Sequence, residues 1–436
     1  MSETRDALEA EIGARAVGTT SIDGRHVPVA FPTDEAQVQA LLALAASRRW
    51  RVLPIGSGTK LDRGALREKP RFAISVRGLS GVTSFERGDG TITARAGSTM
   101  AALAQIARSS GMHVTPDVAA PQHATLGGTL GAGASGVDRL RYGPVRHHVL
   151  GMRVALADGT TTRTGGRLVK NVTGYDLHRL YTGSRGSLCV ILEASLRLFP
   201  APEHEFVLTA TYFGRDAALR TAATVLASPV RPTCVAVESA GDGGHTLVVA
   251  LAGRREPVEW ERAHVSAILG DPLLAEGREA RERIERLRDA ELDATLRVGA
   301  ATSRLPRVLE TIDGRTRTDG TRARLVIHPG LATVDVVLAT SEGSTSADEN
   351  HVESLARDLL ALDVEVELRG TTPLVRERFA ASRHAHVPAR ALSERLRDAL
   401  DPERRFAGDR SVTATTTTVV SAPPPRTRHP DPSSPA

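Results

Sequence analysis

Pro121 to Gly136 reads PQHATLGGTLGAGASG, with glycine at positions 127, 128, 131, 133 and 136. A stretch so poor in bulk contributes little to a core. Its chemical use lies in its backbone, because glycine accepts positive φ and lets N–H groups approach an anion closely. Two more glycine loops precede residue 200. Gly56-Ser57-Gly58-Thr59-Lys60 extends the apolar run RVLPI, and Gly183 to Gly186 leads into LCVILEASLRLF. One such loop is an ordinary turn. Three of them, two joined to expected strands, point to a large ligand that carries phosphates.

Two familiar nucleotide motifs are imitated and fail on context. Gly131-Ala-Gly133-Ala-Ser-Gly136 fits G-x-G-x-x-G, with Asp158 at a plausible distance. That fingerprint must come directly after an apolar strand, and its acidic residue must end one. Here PQHATLGGT precedes it, Gly143-Pro144 interrupts the segment behind it, and Asp158-Gly159 reads as a type I′ hairpin turn. GSGTK lacks the Walker A spacer, and Leu61 stands where a magnesium-binding hydroxyl is needed. Histidine pairs give no metal site. His147 and His148 are adjacent and would face opposite sides of a strand, and His384 and His386 read as surface residues.

Composition limits the class. A chain of 436 residues needs two or three cores. Its 41% apolar and 25% charged residues are ordinary for a water-soluble protein, and no apolar run approaches a membrane span. The start, MSETRDALEAEIGARA, reads as a short amphipathic helix without a secretory apolar core, so the expected location is the cytoplasm. Cys189 and Cys234 are the only cysteines, too few for a disulfide framework or an iron–sulfur cluster. A net charge of +5 comes from diffuse arginine, with lysine only at 60, 69 and 170. No basic stripe with interleaved aromatics indicates nucleic acid.

The elements that must hold the loops are readable from pattern. Residues 51–55, 72–78 and 91–96 read as strands. Residues 35–47 form a capped helix, and Ser98 to Ser110 another, with Ser98 as N-cap and Gly111 as its stop. VLGMRVAL and TTTRT read as a hairpin. Beyond Pro202 the order becomes strand 206–213, helix 215–227, strands 233–239 and 246–252, and helix 257–269. A charged helix is expected at 274–292. A second set comes after it: strand 295–300, helix 304–312, strands 323–328 and 333–339, helix 350–361 and strand 364–369. Two β-α-β-β-α units of this kind make antiparallel sheet with helices on one face. Helix 388–400 leads to LDPERRF, and from Ser411 a Pro/Ser/Thr-rich tail has nothing to build a core with.

The order of LPIGSGTK, PDVAAPQHATLGGTLGAGASG, RYGPVRHHVLGMRVALADG, GGRLVKNVTGYDLHRLYTGSRGSLCVILEASLRLFP and LDPERRFAGDR resembles the flavoproteins with the PCMH-type FAD-binding domain shared by vanillyl-alcohol oxidase and p-cresol methylhydroxylase. Within them the similarity is nearest to the FAD-binding E subunit of bacterial glycolate oxidase. The resemblance implies an α+β protein: a two-subdomain PCMH-type FAD-binding domain, then an α+β cap domain with antiparallel sheet in ferredoxin-like repeats. The expected divisions are a helical lead at 1–27, the FAD-binding domain at 28–200 and the cap at 201–400. A segment at 401–411 would return to the FAD domain, ahead of a tail at 412–436.

By resemblance, FAD is bound through Pro54, Ile55, Gly56, Ser57, Gly58, Thr59 and Lys60, then Pro116, Thr125, Gly127, Gly128, Gly131, Gly133, Ser135 and Gly136. Gly174, Tyr175, Asp176, Gly186 and Ile191 complete the set. Gly133 stands where the family commonly has asparagine. The first loop has no histidine for covalent attachment, so noncovalent FAD is expected. Relatives that oxidise 2-hydroxy acids use cap histidines and a metal. Here the nearest counterpart is His328-Pro329-Gly330-Leu331, which lacks the acid and the second histidine, so His328 is the one catalytic candidate and no metal is expected.

The function implied is FAD-dependent oxidation of a small 2-hydroxy acid in a glycolate-oxidase-like complex. Electrons would pass to a paralogous flavoprotein subunit and an iron–sulfur subunit, with any membrane association through those partners. Two other readings stay open: a non-catalytic flavin-binding scaffold subunit, and a self-sufficient oxidase of another alcohol or sugar acid.

Overall fold

The computed structural model describes residues 2–63, 66, 68–166, 175–239, 244–289, 295–318, 322–339, 349–369, 371–372, 374–376, 378–379 and 390–408. Three sheets organise them. The first has the order β1 (Val17–Ile22), β2 (Arg25–Ala30), β4 (Phe72–Ser75), β3 (Val52–Ile55). β2 and β3 both run parallel to β4, and the chain between them forms helix α2 (Glu35–Ser47). Asp34 caps α2 by accepting the Gln37 N–H. Val38, Leu41, Leu42 and Ala45 fall on one helical face and are buried. Helix α1 (Ser2–Ile12) packs beside it.

The second sheet is antiparallel, in the order β5 (Val82–Glu86), β6 (Thr91–Arg95), β10 (Val190–Pro200), β8 (Val149–Ala155), β9 (Thr161–Gly165). β7 (Met112–Val114) pairs with the end of β10. β10 sits at the centre of this layer, and most of its positions are buried, so both its faces meet apolar neighbours. Helix α3 (Met100–Ser109) lies alongside, together with the short helices α4 (Leu126–Ala132), α5 (Arg139–Tyr142) and α6 (Leu177–Tyr181). The two sheets share one apolar core running from Leu8 to Leu198 and including Phe406.

The third sheet has eight strands. They are β11 (His204–Tyr212), β12 (Cys234–Ser239), β13 (His245–Gly253) and β14 (Leu273–Glu276), then β15 (Leu296–Gly299), β16 (Arg322–His328), β17 (Thr333–Ala339) and β18 (Glu365–Leu368). Their order is β14-β11-β13-β12-β16-β17-β15-β18. Each half repeats the same path. Its first strand pairs with its third, its fourth covers the outer edge of the first, and the two second strands join the halves. Helices α7 (Arg215–Ala227), α8 (Arg255–Leu269), α10 (Leu305–Thr318) and α11 (Glu349–Leu360) bury their apolar stripes on one face, around Leu208, Val237, Val298, Val336 and Val366. The duplication is therefore one of topology and pleat, that of two ferredoxin-like units. Helix α9 (Gly277–Asp289) covers part of the opposite face through Ala280 and Leu287.

Four local expectations are corrected. Residues 274–276, expected to open a helix, belong instead to the edge strand β14, and α9 begins only at Gly277. Thr99, not Ser98, caps α3. Its hydroxyl accepts the Ala102 N–H, while the Ser98 hydroxyl accepts from Gly81. The 156–160 turn has positive φ at Gly159 and not at Asp158, so it is no type I′ turn. His147 and His148 lie at the end of a short 3-10 turn instead of on a strand, with His147 exposed and His148 buried.

Candidate functional site

The site is built on the edge of β3. The chain leaves Ile55 into Gly56, and Thr125 caps α4 by accepting the Gly128 N–H at 3.2 Å. These two pieces meet with no side chain between them. A Cβ on Gly56 would overlap the Thr125 hydroxyl and stand 2.9 Å from Gly128 Cα, and one on Gly128 would stand 3.2 Å from Gly56 Cα. Gly127 is confined in the same way. A Cβ there would stand 2.8 Å from Ala96 Cβ, and the Gly127 N–H donates to the Ala96 carbonyl. The glycine stretch is thus partly helical: its middle, Leu126–Ala132, is the short helix α4, which ends where Gly133 adopts φ +62°.

The loop 56–60 is fastened from behind. The Ser75 hydroxyl donates to the Gly56 carbonyl at 2.8 Å, and the Ser57 hydroxyl to the His123 carbonyl. Among the described residues, the N–H groups of Ser57, Gly58 and Thr59 donate to no backbone carbonyl. They are positioned donors of the kind that phosphate oxygens accept from. The third loop closes the other side. Gly183 N–H and Arg185 N–H donate to the carbonyls of Leu130 and Gly131, both at 2.8 Å, and Gly186 turns at φ +71° against Pro54.

Together they enclose a cavity of about 970 Å³, counting its open mouth. Its mixed lining suits a dinucleotide: apolar Leu53, Ile55, Leu61, Leu66, Val76 and Ile191, cationic Lys60, Arg63 and Arg185, and the bare glycine backbone. Cys189 lies in the wall, and burial pushes its thiol far above the usual range, so it is an apolar filler and no nucleophile.

Of the residues expected to bind a cofactor, Pro54 to Lys60, Thr125, Gly127, Gly128, Gly131, Gly186 and Ile191 line this cavity. Others do not. Gly133 packs on Gly183 at the end of α4, the Ser135 hydroxyl accepts from Val145 N–H, and Gly136 packs directly on the Asp117 backbone. Pro116 is buried away from the lining. Tyr175 is 91% exposed, and Asp176 forms an exposed pair with Arg179 at 3.2 Å. Gly174, His384 and His386 lie outside the described residues. Arg63 and Arg185 join the lining without having been singled out by sequence, although Arg185 sits inside one of the glycine loops.

His328 is not in the lining. It ends β16, 5% exposed, with its Nε2 3.8 Å from an Asp335 oxygen. Asp335 accepts two bonds from Arg297, both at 2.6 Å, and faces Arg369 at 3.7 Å. Arg369 donates to Glu367 at 2.8 Å, and Glu367 meets Arg185 of the cavity wall at 2.5 Å. On the second half of the third sheet, the face opposite the helices thus carries an ionic ladder that ends at the cavity. Burial opposes the Glu367 charge, but Arg185, Arg369 and Arg63 hold its carboxyl well below the usual range.

A second titratable cluster lies where the third sheet meets the α4–α5 region. Burial and nearby Glu205 push Asp138 up to about 7, against Arg288 and Arg141. Burial and Asp138 raise Asp117. Burial and Arg108 lower His113 to about 4.

Comparison with known proteins agrees with this geometry. The family model described as FAD binding domain matches residues 28–165. Glycolate oxidase subunit GlcD of Bacillus subtilis is 28% identical over 283 residues, 61% of this chain and 60% of that protein. D-2-hydroxyglutarate dehydrogenase of Stutzerimonas stutzeri is 32% identical over 186 residues, 43% of this chain and 39% of that one. The chain thus spans less than two thirds of these relatives. Among solved structures, 4-ethylphenol oxidase from Gulosibacter chungangensis superposes with a TM-score of 0.71 at 14% identity, covering 94% of this chain and 97% of that one. That likeness establishes the fold.

Proposed function

We propose that this chain, a PCMH-type flavoprotein whose FAD binding domain matches over residues 28–165, acts in the oxidation of a small 2-hydroxy acid as a subunit of a glycolate-oxidase-like complex. The observation that carries the reading is the glycine-backed cavity, with its open amides at one side and a cationic wall touching the third sheet at the other. The names of the matched relatives, a glycolate oxidase subunit and a D-2-hydroxyglutarate dehydrogenase, supply the substrate class.

When bound, FAD supplies a carrier for the two electrons taken from the hydroxy acid in the complex. The chain's own residues would bind and shelter it. Ser57, Gly58 and Thr59 amides and the Gly128 edge of α4 would hold the pyrophosphate, with Lys60 and Arg63 balancing its charge. Leu53, Ile55, Val76 and Ile191 would exclude water from the flat rings. Noncovalent binding fits a loop, Gly56 to Lys60, that offers no histidine. His328 lies against Asp335 and outside the lining, which favours a reading in which the base comes from elsewhere in the complex. That supports action with a partner: a related flavoprotein subunit contributing the reacting groups and an iron–sulfur subunit receiving electrons, in the cytoplasm or bound to the membrane through them. Among the described residues no helix is long and apolar enough to cross a membrane.

The test is anaerobic mixing of the holoprotein with glycolate and with D-lactate, with and without the co-expressed partner. Bleaching of the flavin by a hydroxy acid in the complex is expected. A yellow complex that no hydroxy acid bleaches contradicts the assignment.

A further inference from the structure

Glu367 is an unusual carboxylate. Register places it across from Arg297, as Arg297 is also placed across from Asp335. Arg297 gives two short bonds to Asp335, and the Glu367 carboxylate is gripped from the other side. Arg185 approaches one oxygen at 2.5 Å, and Arg369 donates to the other through two nitrogens, at 3.1 and 2.8 Å. Arg369 is itself 3% exposed and Glu367 17%, whereas Arg185 is 28% exposed and lines the cavity. Two guanidinium planes meeting at one carboxylate is the geometry by which proteins recognise small carboxylic acids. Here the recognised group belongs to the chain itself.

We infer that Arg185 and Arg369 form a carboxylate-recognition corner on the cavity wall and that Glu367 is its built-in occupant, which sets the specificity of the cavity by shutting out small carboxylates. A free acid reaches the corner only by displacing a partly buried carboxylate that two arginines already hold. The isolated chain is therefore insensitive to small carboxylates at concentrations where an open arginine pair would bind them. Only the optical readout of this corner depends on the flavin reading of the cavity.

The experiment compares wild type with Glu367→Ala and Glu367→Gln, each as full-length holoprotein, titrated with acetate and with oxalate. Two readouts are taken: the flavin absorbance spectrum and the thermal midpoint. Wild type should respond to neither acid in the low millimolar range. Glu367→Ala should bind oxalate at least tenfold more tightly than wild type. Acetate should raise its melting midpoint toward the wild-type value by refilling the vacated corner. Arg185→Leu combined with Glu367→Ala should lose the gain. If the alanine variant is recovered only when acetate is present during purification, that too supports the inference.

Wild type binding oxalate as well as the variants do would overturn it. So would folded variants that acetate neither stabilises nor perturbs, or variants unrecoverable even with acetate present, which would make Glu367 a packing element of the third sheet. A chain that takes up no FAD defeats the flavin reading instead, and the acetate effect on the melting midpoint still decides this inference.

Discussion

Two walls meet at the cavity and are made in opposite ways. The wall at Gly56 and Gly128 works by what is missing: two backbones touch because neither carries a Cβ, and the chemistry is done by amides. The wall at Arg185 and Glu367 works by long charged side chains, fixed by one another and by strand register. The first is robust to charge and intolerant of volume. The second depends on paired charge and is intolerant of its loss. A wall of the first kind can persist while a wall of the second kind is rewritten by changes of charge.

The sharpest way to break that contrast is to add volume to the first wall. Gly56→Val or Gly128→Val places a side chain into Thr125 and the facing glycine, so FAD binding should fall by more than about a hundredfold, a cost near ~3 kcal/mol. Cofactor content against circular dichroism checks this, and a folded valine variant with full FAD loading would move the site elsewhere. Removing charge from the second wall comes next. Asp335→Asn leaves Arg297 and Arg369 facing a neutral amide and should destabilise the chain by about 3 kcal/mol while holoprotein keeps its flavin. Urea unfolding measures it, and a midpoint equal to wild type would show the ladder to be energetically idle.

A smaller effect should come from Asp138. Its folded pKa lies above the ordinary carboxylate value, so the stabilisation is present below about pH 4 and is lost as pH rises through about 7. Asp138→Asn imitates the protonated form. Its melting midpoint should match wild type below about pH 4 and exceed it by a margin that grows up to about pH 7 and stays level above it, and parallel pH profiles would refute the assignment. The smallest effect is expected at Asp158. Its carboxylate accepts from the N–H and hydroxyl of its own turn residue Thr160, both at 2.9 Å, so Asp158→Ala should leave FAD affinity within about twofold. A large loss would revive the ribose-binding role that the glycine motif imitates.

The first wall is legible in the sequence because its glycines cluster in loops joined to readable strands, although their close approach at Gly56, Gly127 and Gly128 is set by Thr125 and Ala96. The repeated strand–helix order of the third sheet is legible from periodicity. Leu273 to Glu276 is the exception, because a four-residue edge strand has too little pattern to compete with the helix behind it. The second wall is not legible. Arg185 and Glu367 are 182 positions apart, and their meeting depends on the pairing of β15 with both β17 and β18. Nothing in the local sequence of either residue sets it apart from the many exposed ion pairs of an arginine-rich chain. Gly133, Ser135 and Gly136 mislead in the other direction, since glycines that end a helix or pack on Asp117 look the same in sequence as those that face a ligand.

The central claim is that this cavity holds FAD, and it is tested by purifying the chain, recording its visible spectrum and identifying the small molecule released on heating. A yellow protein that releases one FAD per chain, and whose Gly56→Val variant is folded and colourless, is the predicted result. A colourless wild-type protein that takes up no added FAD would contradict the account.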